Sequence, residues 1–216
     1  MDNKIAICVP TYGRPDRLQR VADNIHDNTT VPHKIYFVVE PDDIPSQEAV
    51  RETGEVLIIS KYPGCHTGAA NTVVEMLDEP YFMMANDDFN FHREWDTKAL
   101  EAIAPEHVMV LGVNDMGNGK CNTIFLVKTK YIREMSGVLD EPNTYFHTGY
   151  KHNFADTEFY ETAMKRGVYA TCPESEVEHM HPGFGKAQKD ATYEKSDSYA
   201  QGDREVYNNR RALWQS

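Results

Sequence analysis

The chain has 216 residues, 40% hydrophobic and 11% aromatic, which suits one folded globular domain that buries roughly 70% of its unfolded surface without cross-links. No apolar run approaches the ~20 residues that span a bilayer, and the start Met1-Asp2-Asn3-Lys4 lacks the layout of a secretory leader. The net charge of −12 opposes indiscriminate binding to polyanions, and the four scattered cysteines (Cys8, Cys65, Cys121, Cys172) fit reduced thiols in a cytoplasmic chain better than a zinc ribbon or a disulfide framework.

Residues 5–9, Ile-Ala-Ile-Cys-Val, are short, apolar and ended by Pro10, the pattern of a fully buried strand. Pro15 then opens a helix with Leu18, Val21, Ala22 and Ile25 at i, i+3, i+4 and i+7. Residues 35–39 make a second strand stopped by Pro41. A short helix over 46–53 leads to a third strand at 56–59. Pro63-Gly64 turns the chain into a helix over 67–77 with Ala70, Val73, Val74 and Leu77 on one face, and 81–85 is the fourth strand. Strands apolar on both faces that alternate with amphipathic helices define an α/β fold with a mostly parallel central sheet and helices on both faces.

The second half is less regular. A helix is predicted over 95–104, followed by two apolar runs, 108–113 and 123–127, joined by the Gly-rich 115–120 as a hairpin or mixed edge of the same sheet. A helix over 156–166 and a short strand at 168–171 follow. Beyond His181 the chain turns polar until a last helix over 203–213. The sequence reads as one domain over 1–186, with a flexible C-terminal segment and helix over 187–216 packing on it.

Ligands of parallel α/β sheets bind outside the carboxyl ends of the strands, and there the chemistry-bearing residues gather. Asn86-Asp87-Asp88 directly follows the fourth strand. Adjacent carboxylates repel unless a cation or buried donor compensates, and their hard oxygens suit Mg²⁺ or Mn²⁺; a plain acidic turn opening the next element is the competing account. Pro10-Thr11-Tyr12-Gly13-Arg14 closes the first strand, Glu40 the second, and Gly64-Cys65-His66-Thr67-Gly68 opens a helix with small residues that permit close backbone approach. Each alone is a routine loop. Together at one sheet edge they favour a nucleotide-type crevice.

With these elements in order, the chain resembles the GT-A fold glycosyltransferases, and within them the family 2-like inverting enzymes. The resemblance rests on Val9-Pro10-Thr11-Tyr12-Gly13-Arg14, Gly68-x-x-Asn71, the DXD-like Asn86-Asp87-Asp88, Asp156-x-Glu158 before a helix ending at Arg166-Gly167, and His179-x-His181 ahead of a Gly-rich loop. It implies a nucleotide-sugar donor, with UDP-sugars the usual class, lined by Pro10, Thr11, Tyr12 and Arg14, with Glu40 at the base or ribose. Gly68 and Asn71 belong to the same substrate-binding set. Asp87 would face ribose or sugar, Asp88 would hold Mn²⁺ or Mg²⁺, and His181 would complete the metal shell, with His179 two residues away on the same face of an extended segment. Asn86 in place of an aspartate leaves that residue a substrate contact rather than a ligand. Asp156 would be the general base that takes the acceptor proton; the alternative for it is a helix cap. Lys186 would close over the diphosphate as part of the loop 183–186, and Tyr193, Arg210 and Arg211 lie in the polar tail.

The resemblance implies a hydroxyl compound as acceptor. The small size and the Val-Pro-Thr-Tyr-Gly-Arg opening also resemble compact phage-type glycosyltransferases associated with DNA base hypermodification. That points to a hydroxymethylated pyrimidine, with Lys120, Lys128, Lys130 and Arg133 as a DNA face and Tyr145, Phe146 or Tyr150 stacking an extruded base. A small-molecule, glycan or protein acceptor agrees more easily with the charge of −12, and a non-catalytic nucleotide-sugar binding module is the alternative from another functional class.

Overall fold

The structure, a computed structural model, describes residues 3–117 and 119–215. Met1, Asp2 and Ser216, at the ends of the expected domain bounds, and Asn118, within the expected 115–120 turn, lie outside the described residues.

Eight strands form one curled mixed sheet. β1 (Ile5–Thr11), β2 (His33–Val39), β3 (Val56–Ile59) and β4 (Tyr81–Met84) are its parallel half, and β6 (Val110–Asn114), β7 (Ile124–Lys128), β8 (Tyr169–His179) and β5 (Phe89–Phe91) complete the order β3-β2-β1-β4-β7-β6-β8-β5. β7 runs antiparallel between β4 and β6, so the expected hairpin exists but lies inside the sheet, and the mixed edge belongs to β8 and β5. Alternation along β1 feeds two cores. Ile5, Ile7 and Val9 pack with α1 (Leu18–Asn28), α2 (Ile44–Thr53) and α4 (Trp95–Ile103) on one face, and Ala6 and Cys8 with α3 (His66–Val74), α5 (Thr129–Met135) and α6 (Ala155–Lys165) on the other.

The largest departures from the sequence reading lie where the chain becomes polar. β8 is eleven residues long, not four, because a register break between Val113 and Asn114 accommodates Pro173 and its neighbours, with the Asn114 side chain donating to the Pro173 carbonyl at 3.0 Å. In the C-terminal segment the expected last helix over 203–213 falls on α8 (Ala200–Arg210) and α9 (Ala212–Gln215), and a further helix, α7 (Ala191–Ser198), precedes it. Buried Tyr193, Asp203, Arg210 and Trp214 anchor these helices on the sheet domain, and their bonds are polar, which hydrophobic periodicity does not report. No helix among the described residues is long and apolar enough to cross a membrane.

Candidate active site

The site is built on the carboxyl ends of β1, β2 and β4. Asp87 and Asp88 leave β4 almost fully buried, with opposite assignments. Both oxygens of Asp87 are taken: Oδ2 accepts from the Thr11 hydroxyl at 2.9 Å and Oδ1 from Arg14 Nη1 at 2.6 Å. Burial raises the Asp87 pKa above the usual carboxylate range despite the adjoining guanidinium. Asp87 therefore braces the β1 loop, and it also lines the crevice at these strand ends.

Asp88 is the open one. Its Oδ2 accepts from the Tyr193 hydroxyl at 2.7 Å and lies 3.3 Å from His179 Nε2, while its Oδ1 is buried with no hydrogen-bond partner among the described residues. Burial alone would raise this carboxyl; the His179 and Tyr193 contacts outweigh it and hold the group at a pKa of about 2. The backbone fixes the pairing, because Met180 N–H donates to the Asp88 carbonyl at 2.9 Å and His179 N–H to the Asp115 carbonyl at 3.1 Å. His179 is thus the histidine that reaches Asp88. His181, the expected ligand, accepts from Gly183 N–H at 3.0 Å through Nδ1 and packs with its ring 5.0 Å from that of His179.

Among the described residues no group of three or more His, Cys, Asp or Glu stands preassembled as a metal cage. The donor set nonetheless fits Mg²⁺ or Mn²⁺. An orphaned buried carboxylate oxygen is a costly feature without a cation, and such ions are commonly held by one or two protein groups plus substrate phosphates.

α7 forms one wall. Asp190 caps it by accepting from Thr192 and Tyr193 N–H, and the same carboxylate receives Arg14 through Nε (3.0 Å) and Nη2 (2.9 Å) and Arg17 at 3.0 Å. Arg14 pairs with Asp87 and Asp190, its guanidinium packs 4.4 Å over the Tyr193 ring, and it lines the crevice. Lys195 adds a second cation to the lining, with its ammonium 3.6 Å from the centre of the Tyr12 ring. Pro10, Thr11, Tyr12, Glu40 and Asn86 line this crevice with Asp88, and Glu40 also accepts from Gly64 N–H at 2.7 Å.

A second recess opens beside the first, under the N-terminus of α6. Asp156 lies in the first turn of that helix and not at its cap, which is Phe154. One of its oxygens accepts from Thr157 N–H at 2.8 Å, the other makes no bond to a described residue, and burial raises its pKa, as suits a proton acceptor. Glu158, two residues on, is fully buried against Arg210 (2.7 and 2.9 Å) and the Tyr150 hydroxyl (2.8 Å), a structural role. His66, Asn86, His152, His179 and His181 line both recesses.

Other expected residues stand elsewhere. Gly68 and Asn71 line neither recess. A Cβ at Gly68 would run into the Tyr62 side chain, so the glycine serves packing, and the Asn71 amide is spent on the 145–146 backbone, donating to the Phe146 carbonyl at 2.8 Å and accepting from Tyr145 and Phe146 N–H. Lys186 pairs with Glu178 at 2.8 Å and donates to the Met116 carbonyl, outside both recesses. The basic residues do not share a face: β7 carries the chain from the site edge, where Lys120 lies, to the opposite edge, where Lys128 is buried on the Pro105 carbonyl and Arg133 binds the Leu77 carbonyl. Tyr145, Phe146 and Tyr150 are buried aromatics, with Tyr145 stacked on Phe159 at 4.6 Å; Tyr145 and Phe146 also line the second recess, whereas Tyr150 does not.

The geometry agrees with the comparisons. The model of "Glycosyl transferase family 2" matches residues 6–168. The chain belongs to this family. It is therefore a sugar-transferring enzyme, and several solved structures share its fold. One is a mannosyltransferase from Pyrobaculum calidifontis in complex with GDP-Man and Mn²⁺, at TM-score 0.64 and 16% identity over 81% of this chain and 56% of that one. Another is glucosyl-3-phosphoglycerate synthase from Mycobacterium tuberculosis in complex with Mn²⁺, UDP and phosphoglyceric acid, at TM-score 0.66 and 9% identity over 95% of this chain and 78% of that one. A third is S. aureus TarS 1-349, at TM-score 0.61 and 10% identity over 81% and 59%. No curated protein sequence matches the chain.

Proposed function

We propose that this family 2 enzyme moves a sugar from a nucleoside-diphosphate donor to a small hydroxyl acceptor with inversion at the anomeric carbon. The observation that carries the reading is the buried Oδ1 of Asp88 at the end of β4, which has no partner among the described residues, with a second carboxylate, Asp156, lining the adjoining recess. The donor nucleotide lies along Pro10, Thr11, Tyr12 and Glu40, with Arg14 and Lys195 the nearby cations. Asp88 and His179, with His181 beside them, would hold Mn²⁺ or Mg²⁺, the ion found with the mannosyltransferase and the synthase. When bound, such an ion supplies Lewis-acid charge that stabilises a departing diphosphate.

Asp156 takes the proton of the acceptor hydroxyl as that oxygen bonds to the anomeric carbon from the second recess. The bond from that carbon to the diphosphate oxygen breaks on the opposite side, and the nucleoside diphosphate leaves with the electron pair. Arg204, with its guanidinium 5.5 Å from the centre of the Phe154 ring, puts a cation at the edge of this recess and suits an acceptor with an anionic group. The hydroxymethylated pyrimidine keeps a place in the acceptor panel, although the basic and aromatic residues that suggested it are dispersed or buried. The test is nucleotide release from UDP- and GDP-sugars with and without Mn²⁺. Metal-stimulated release lost in Asp88→Ala supports the reading, and release indifferent to both overturns it.

A further inference from the structure

The two recesses meet at a pair of imidazoles. His66 opens α3 and His152 lies in the loop before α6; their ring centroids are 4.5 Å apart and their planes tilted by 43°. Both line both recesses. Neither ring makes a hydrogen bond to a described residue, whereas His179 and His181 on the same wall each have a polar neighbour.

The backbone under them is fixed. The buried Asp203 carboxylate on α8 accepts from Lys151, His152 and Asn153 N–H at 2.8, 2.9 and 2.7 Å. Thr67, next to His66, donates its hydroxyl to the Tyr150 carbonyl at 2.7 Å, which binds the start of α3 to the same loop. Two side chains with free ring nitrogens are thus presented on a rigid frame. Burial lowers the pKa of each, helped at His66 by the neighbouring His152 and at His152 by His181 and His179, favouring neutral imidazoles that offer one donor and one acceptor apiece.

In the transfer reaction proposed above, on which this inference rests, the sugar is tied to diphosphate on one side and approached by the acceptor on the other. It must lie where the recesses meet. We propose that His66 and His152 form the subsite for the transferred sugar, offering ring nitrogens to its hydroxyl groups and ring faces to its C–H surface, and so select which sugar is moved.

The experiment is calorimetric titration of native protein, His66→Phe, His152→Phe and the two matching Asn variants with UDP, GDP, UDP-glucose and GDP-mannose in Mn²⁺, with folding checked by circular dichroism. Native protein should bind one sugar-bearing nucleotide more tightly than the bare nucleotide. The Phe variants should keep the bare-nucleotide affinity within about twofold and lose tenfold or more of the sugar-dependent increment. The smaller Asn variants, which keep a donor and an acceptor, should alter which sugar is preferred, and they serve if phenylalanine unfolds the loop. Variants that discriminate as native protein does, equal native affinity for bare and sugar-bearing nucleotides, or a matching loss of bare-nucleotide affinity would each overturn the subsite. A native protein that binds neither nucleotide overturns the donor reading and the subsite with it.

Discussion

Arg14 and Asp190, 176 residues apart in sequence, form a two-point ion pair, Nε to Oδ2 at 3.0 Å and Nη2 to Oδ1 at 2.9 Å. The pair joins the loop after β1 to the cap of α7, and through α7 it places the Tyr193 hydroxyl on Asp88 and the Lys195 ammonium over Tyr12. The far end of the chain is thereby part of the donor crevice.

Asp190→Ala should release α7. Arg14 keeps Asp87 but loses its second anchor, and the helix loses its cap. Affinity for nucleoside diphosphate with Mn²⁺ should fall about tenfold, ~1.4 kcal/mol. Limited proteolysis should cut within 187–199 sooner than in native protein; unchanged affinity and cleavage would show that α7 docks without the pair.

Asp156→Asn should lower the transfer rate by about 10²- to 10⁴-fold while leaving donor binding intact, because the amide cannot take the acceptor proton. Burial raises the Asp156 pKa. The base works when deprotonated, so the native rate should rise with pH through a value above the ~3.9 of a free aspartate, and that acid limb should vanish in the residual rate of the variant. A limb at the ordinary carboxylate position would assign the base elsewhere.

Tyr193→Phe removes a hydroxyl that helps hold Asp88 at a pKa of about 2. A carboxyl whose pKa is depressed on folding contributes stability above its unfolded value of ~3.9, and loses it as pH falls toward the folded value. The variant should therefore be less stable than native protein at neutral pH and approach it as the pH falls toward the folded value, as followed by denaturant unfolding monitored by circular dichroism at several pH values.

Arg210→Ala strands the buried Glu158 carboxylate, which otherwise meets Arg210 at 2.7 and 2.9 Å beneath the Tyr150 hydroxyl. Loss of one partner from a buried pair costs about 3–5 kcal/mol, so the melting temperature should drop by many degrees. Arg211→Ala, one residue on and exposed, is the control and should change little.

The parallel half of the fold was legible because Ile5, Ile7, Val39 and Met83 are apolar for one reason only, burial in a covered sheet. The carboxylates were legible for the opposite reason: charge at the end of a buried strand demands an explanation. The sequence reading misplaced Gly68 and Asn71, whose residue types suit a ligand as well as they suit helix packing and a backbone clamp. Asp190, Lys195, His152 and Asp203 went unread because they lie in polar stretches with no periodic signal. Their roles depend on partners more than 50 residues away. His179 and His181 share one face of an extended segment, and the main-chain bond from Met180 to Asp88 decides which comes closer.

The span between Arg14 and Asp190 also sets the order in which the molecule matures. β1 and β4 can pair, and the two cores can begin to condense, while the ribosome is still producing the second half of the chain. The donor crevice cannot acquire Tyr193 and Lys195 until α7 has been synthesised and has closed a loop of 176 residues. Contacts so distant in sequence form late and slowly. A nascent chain halted before Asp190 would carry most of its sheet yet lack a finished place for the donor, so competence arrives as one of the last events of folding.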